Sequence, residues 1–190
     1  MLRGIPRPLR VRVVAPTLRH PLVRMPLKLL SQPIIAWSIY VVTLMAWHTT
    51  AGYDLALRNE VLHDLEHFNW SAAGILFWWN VIDPVPLRSN LSYLGRIPYV
   101  FVTTVPNFAL AAFMTFAPNA WYSHYSLGPR PFGLTAHDDQ QLAGLLMWVP
   151  GGLFLMGTFL AVLVMMVVAE ERRQQEKEAM ALTEATRTAS

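Results

Sequence analysis

Polar and apolar residues along this chain are sorted into blocks rather than alternating. Residues 29–53 (LLSQPIIAWSIYVVTLMAWHTTAGY), 97–129 and 140–169 (QQLAGLLMWVPGGLFLMGTFLAVLVMMVVA) contain no Asp, Glu, Lys or Arg. About 20 apolar residues suffice to carry a helix across roughly 30 Å of hydrocarbon, so each block predicts a transmembrane helix. A less regular block lies between the first two. HDLEHFNWSAAGILFWW, residues 63–79, opens as a polar cluster and ends as membrane core. Sixteen residues separate Glu66 from Asp83, about 24 Å of helix and short of the bilayer. Counting from His63 restores a crossing of about 30 Å. His63, Glu66 and His67 are therefore predicted in the end turns of the span itself. Ionisable groups there are costly unless they face the bundle interior and have partners, so this end predicts a site.

The pattern thus reads as an all-α integral membrane protein, a bundle of about four transmembrane helices with both termini cytoplasmic. Spans are expected near residues 30–49, 63–82, 98–118 and 141–168, between a basic arm (1–28) and a charged tail (170–190) that extends as a helix. Pro106-Asn107 and Pro150-Gly151-Gly152 predict kinks or close packing within spans. No internal repeat is visible.

Charge sets the orientation. Residues 1–31 hold Arg3, Arg7, Arg10, Arg12, Arg19, Arg24 and Lys28 and no acid. The 81–97 connection has Arg88 and Arg96, and the tail has Arg172, Arg173 and Lys177, whereas the other two loops have one each, Arg58 and Arg130. Basic connections stay in the cytoplasm, which places both termini and the middle loop there. Arg-rich, acid-poor segments also serve nucleic-acid binding and transit peptides. Beside these spans the arm reads as a membrane flank, and no nucleic acid is expected. Composition agrees: of 190 residues 54% are hydrophobic and 14% charged, too apolar for a soluble domain and enough for one membrane domain.

This topology collects His48, His63, His67, His124 and His137 on the outer side, leaving only His20 inside. Met45, Met114, Met147, Asp54, Glu66, Asp138 and Asp139 fall in the same outer layer. The chain has no Cys, so soft-metal chemistry must come from His, Met and carboxylates. His63 and His67 are four apart and share a helix face, with Glu66 on the same side. His48 closes the first span with Met45 a turn below, and Met147 follows Gln140 by seven residues on one face of the last. Imidazole and thioether without thiolate suit copper, Cu(I) above all, whereas zinc would more often recruit Cys or a further His. The expected metal set is His48, His63 and His67, with Met147 as a soft auxiliary ligand and Glu66 or Asp139 orienting the rings.

Other readings use the same residues. The histidines could be interfacial groups bonded to lipid or loop backbone. HDLEH matches the H-x-x-E-H spelling of inverzincin proteases, but no Glu occurs between residues 67 and 169, so Asp138 or Asp139 would have to complete a zinc site. His48 and His67 could hold a haem between helices, leaving His63 without a role. No phosphate-binding glycine pattern or Ser-His-Asp arrangement is present.

Two stretches, WHTTAGYDLALRNEVLHDLEHFNWSAAGILFWWNVI and DDQQLAGLLMWVPGG, with LSYLGRIPYVF and MTFAPNAWY between them, resemble the CtaG family of cytochrome c oxidase assembly factors. The resemblance runs from about His20 to Met166. It implies a non-catalytic, multi-pass protein of the bacterial inner membrane that helps deliver copper to the oxidase core subunit, and it allows for a periplasmic copper donor. Family motif positions fall on His48, Tyr53, Asp54, His63, Glu66, His67, Asp139, Gln140, Gln141, Gly144, Met147 and Trp148. His124 and His137 do not match motif positions. Relatives usually carry about seven spans, and RHPLVRMPLKLLSQP resembles their middle cytoplasmic loop. Thr49-Thr50 and Asn80 stand where proline-rich spellings are usual. A chain so shortened would also fit a structural subunit docked on a larger respiratory or other membrane complex.

Overall fold

Prolines and hydroxyl side chains set the helix boundaries in the computed structural model, which describes residues 20–82, 89, 91–122 and 132–188. Pro21 and Pro33 open α1 (Pro21–Leu30) and α2 (Pro33–His48), positions where the missing N–H costs no helical hydrogen bond. The two helices meet at a 71° bend. Thr49 ends α2 by turning extended, and its hydroxyl donates to the Ala46 carbonyl at 2.7 Å while accepting the Gly52 N–H at 3.1 Å. One side chain thereby closes α2 and caps α3 (Thr50–Arg58). A Cβ on Gly52 would strike the Ala46 carbonyl, so this turn requires glycine.

Asn59 repeats the device. Its N–H reaches Leu55 O at 3.1 Å, and its Oδ1 accepts the Leu62 N–H at 3.2 Å, starting α4 (Glu60–Ile82). Ser92 caps α5 (Tyr93–Phe116) through the Gly95 N–H at 3.2 Å. Thr135 and Asp138 form a reciprocal capping box for α6 (Ala136–Thr188), Asp138 N–H to Thr135 Oγ1 at 3.1 Å and Thr135 N–H to Asp138 Oδ2 at 3.3 Å.

Successive long helices run antiparallel, so that α2 and α5 point the same way, as contacts at both ends show. At one end Pro33, Ile34 and Trp37 of α2 face Gly95 and Pro98 of α5. There Arg96, only 3% exposed, donates from Nη1 to Val81 O at the close of α4 at 3.1 Å, placing a cation where the last carbonyls and the helix dipole favour one. The start of α5 also shares a groove with residues 166–175 of α6. We call this the arginine end. At the opposite, histidine end, His48, Trp70, Met114 and Gln140 from α2, α4, α5 and α6 surround one cavity.

The tightest seam is α5 on α6, followed by α2 on α4, while α4 barely touches α5. Gly144 explains the first: a Cβ there would collide with Thr115 Oγ1 and come within 2.9 Å of the Ala111 carbonyl. Two small cores result. Leu44, Leu110, Met114 and Tyr122 pack at the histidine end, and Phe77, Val81, Val100 and Val162 at the arginine end.

All regular structure among the described residues is helical, as the sequence pattern implies. Two helices, α5 and α6, are each long and apolar enough to cross a membrane, and α1 with α2 would make a third as one bent span. This marks a membrane protein and supports two to three of the expected four crossings. The exception is α4, 23 residues long and so about 35 Å. Glu60, Asp64 and Glu66 crowd its first turns and dilute the apolar stretch that follows.

None of the three interior prolines breaks its helix: α5 passes through Pro98 and Pro106, and α6 through Pro150. Near Pro106 side chains serve the backbone, with Thr103 donating to Tyr99 O at 2.8 Å and Asn107 to Thr103 O at 2.8 Å. The charged tail continues α6 as helix to Thr188. The basic arm before His20, the loop with Arg88, and the segment with His124 and Arg130 lie outside the described residues.

Candidate functional site

The α6 residues Ala136, Asp139, Gln140, Ala143 and Met147 recur at helical spacing and form one wall of a cavity of about 360 Å³ at the histidine end. Tyr40, Leu44 and His48 of α2, Tyr53 of α3, Trp70 of α4, Asn107 and Met114 of α5, and Ala120 and Tyr122 after α5 complete it. Deeper in the bundle lies a second cavity of about 220 Å³, and Tyr40, Asn107 and Met147 border both. Met147 therefore stands at the junction of the two.

His48 is the last residue of α2, and its Nδ1 lies 2.8 Å from Leu44 O. A carbonyl only accepts, so Nδ1 carries the proton and Nε2 keeps the lone pair. Histidines that bind metals are fixed in this way, by giving their other N–H to a carbonyl or carboxylate. The edge of the His48 ring meets Trp70, with centroids 5.9 Å apart. Its main-chain carbonyl accepts the Tyr122 hydroxyl at 3.0 Å, and Tyr122 in turn stacks on Tyr53 at 4.1 Å between centroids. The rim is thus pinned across α2, α3 and the segment after α5.

Gln140 holds the remaining side. It is 4% exposed, accepts the Trp121 N–H at 2.6 Å and donates to Met114 O at 3.2 Å, so both ends of a buried amide are bonded and the backbone of Met114 is fixed beside the cavity. Met45 and Met147 pack against the core formed by Leu44, Leu110, Met114 and Tyr122. Asp139 is exposed and borders the mouth.

The expected ligand set is divided between two places. His48, Met147 and Asp139 line the cavity. His63 and His67 are exposed on α4 and turn to each other, Nε2 to Nε2 at 3.1 Å. Glu66, half-buried on α4, acts electrostatically on the His48 ring. Among the described residues no three His, Asp or Glu side chains converge closely enough to hold a metal ion. The H-x-x-E-H protease spelling and a His48–His67 haem pair gain no support from this arrangement. His137 is bound from Nε2 to Ala117 O at 2.8 Å.

The residue that sequence reasoning undervalued is Met114. The sequence marks it as a methionine in the same layer, but its place in the cavity wall with Met147 depends on how α5 seats on α6 at Gly144. The buried bridging by Gln140 was likewise visible only as a motif position.

The described residues form a helical membrane protein with a cavity at the histidine end, bordered by His48, Met114 and Met147 among others. The chain belongs to the cytochrome c oxidase caa3 assembly factor family (CtaG), whose sequence model matches residues 1–169. It is also similar to an uncharacterised protein of Mycobacterium bovis and an uncharacterised protein of Mycobacterium tuberculosis, each 30% identical over 122 residues. That match covers 63% of this chain but 18% of either relative. No solved structure matches the chain.

Proposed function

We propose that this protein carries copper for the assembly of cytochrome c oxidase, holding Cu(I) between His48, Met114 and Met147. The observation behind this reading is the shared cavity: the Nε2 lone pair of His48 is left unused by its bond to Leu44 O, and both thioethers border the same space. One imidazole and two thioethers form a soft, neutral donor set, which suits Cu(I) over harder divalent ions. No catalytic turnover is involved, and copper is cargo. Asp139 at the mouth attracts the cation, and Gln140 keeps the wall with Met114 in place.

In this reading α4 is the fourth span, its first two turns rising out of the hydrocarbon with His63, Glu66 and His67. Arg24, Lys28, Arg96, Arg172, Arg173 and Lys177 gather at the arginine end, and among the described residues Arg58 is the one Lys or Arg at the other. The positive-inside rule then sets both termini in the cytoplasm and the cavity toward the periplasm of a bacterial inner membrane. From there copper can enter from a periplasmic donor and leave for the oxidase core subunit at similar depth.

The test is copper content of the purified chain after Cu(I) loading and desalting. Wild type is expected to keep roughly one ion per chain, as a single three-donor site should, and His48→Ala or the Met114→Leu/Met147→Leu pair to lose it while circular dichroism is unchanged. A wild type that retains no copper refutes the proposal and leaves a structural subunit of a membrane complex.

A further inference from the structure

We propose that α1 lies in the plane of the cytoplasmic membrane surface and binds anionic phospholipid headgroups through Arg24 and Lys28. The inference rests on reading α2 alone, 16 residues and about 24 Å long, as the crossing, with the bilayer thinned locally to match it, and not on α1 and α2 as one bent span. With α2 along the bilayer normal, the 71° bend leaves α1 within about 20° of the surface plane, the attitude of an interfacial helix.

The faces of α1 match that position. At 100° per residue, Leu22, Met25 and Leu29 share one side, with Leu27 and Leu30 extending it to an apolar arc of about 200°. Arg24, Lys28 and Ser31 occupy the remainder. Leu22 is 79% exposed, Met25 74% and Leu29 53%, and α1 contributes no buried residue to the fold. Water would be a poor neighbour for such a stripe, whereas an interfacial helix sinks its apolar side about 5–10 Å into the headgroup and acyl boundary. The bilayer that receives α2 is already in place beneath α1.

Charge selects the lipid. No acidic residue precedes Asp54 in the chain, and no ion pair among the described residues engages Arg24 or Lys28. Two uncompensated cations four residues apart, one turn above the acyl boundary, complement an anionic leaflet. A lone helix of ten residues would be marginal in water, so the surface that receives it also stabilises it.

The chain has no native Cys, which permits clean single-site spin labels in the full-length protein reconstituted into phosphatidylcholine vesicles with or without phosphatidylglycerol. A label at Met25→Cys is expected to meet oxygen more often than a water-soluble nickel chelate, and one at Lys28→Cys the reverse. Enrichment of spin-labelled phosphatidylglycerol over phosphatidylcholine around the protein should fall several-fold in R24Q/K28Q, with a ceiling of about fivefold per charge removed. Nickel access at both positions, oxygen access at both, or shielding from both reagents overturns the in-plane helix, the last by showing a protein cover. Unchanged lipid enrichment in R24Q/K28Q overturns the headgroup contact. A third label at Val42→Cys reports the span separately: nickel access there would overturn the reading of α2 and the inference with it.

Discussion

His48 and the His63–His67 pair offer the same chemical group in opposite settings. The pair is made by helix geometry alone: a spacing of four on α4 turns two exposed rings to within 3.1 Å. Nothing beyond α4 is needed to form it, and among the described residues no third His, Asp or Glu converges on it to complete a metal site. His48 depends on the whole fold. Its ring is set by Leu44 O, flanked by Trp70 and borders a cavity that methionines on two other helices also line. Local spacing is therefore a sound guide to where two ligands can meet and a poor guide to where a soft, selective site is completed.

The strongest way to break this contrast is to remove the fold while leaving α4 intact. Gly144→Leu would push a side chain into Thr115 and the Ala111 carbonyl. Overpacking against backbone costs about 1–3 kcal/mol or more, so thermal unfolding in detergent should show a large loss of stability, and Cu(I) retention should vanish with it. Retained copper would mean that the cavity is not where copper sits. Next in size is His48→Ala, expected to weaken Cu(I) about 100-fold or more, since even residues that only orient ligands cost 10–100-fold; competition with a Cu(I) chelator measures it. Gln140→Ala removes the amide that ties Met114 O to Trp121 N–H and should weaken Cu(I) roughly 10-fold by the same reasoning, without abolishing it.

Smaller effects sharpen the other side of the comparison. His63→Ala should change Cu(I) affinity less than about threefold in the same competition, because a ring outside the cavity contributes no bond there. An effect as large as that of His48→Ala would join the two regions into one site. Gly74→Ala, whose new methyl meets nothing within 4 Å, should be neutral or stabilise α4 by up to about 1 kcal/mol, and unfolding curves of the two proteins should nearly coincide.

The apolar blocks announced the long helices because bilayer-length hydrophobic runs need no tertiary information to recognise. The family match over residues 1–169 likewise agrees with the motifs read from WHTTAGYDLAL to DDQQLAGLLMW. What the pattern hid was bending and seating. Residues 21–30, expected as part of the basic arm, form a helix of their own that Ser31-Gln32 and Pro33 set at 71° to α2, a property of a two-residue junction that hydropathy averages away. The separation of His48 from His63 and His67 depends on how α4 rotates against α2. Met114 enters the cavity wall because Gly144 lets α5 and α6 approach. Such contacts are set between helices, and a one-dimensional pattern carries little trace of them.

X-ray absorption at the copper edge of the Cu(I)-loaded full chain tests the central claim most directly. Copper in the cavity should show sulfur neighbours together with nitrogen, with the sulfur signal lost in Met114→Leu/Met147→Leu and unaffected by His63→Ala/His67→Ala. A spectrum of nitrogen and oxygen neighbours only, unchanged by the methionine substitutions and abolished by the α4 histidine substitutions, would place the copper on the exposed pair and contradict the account.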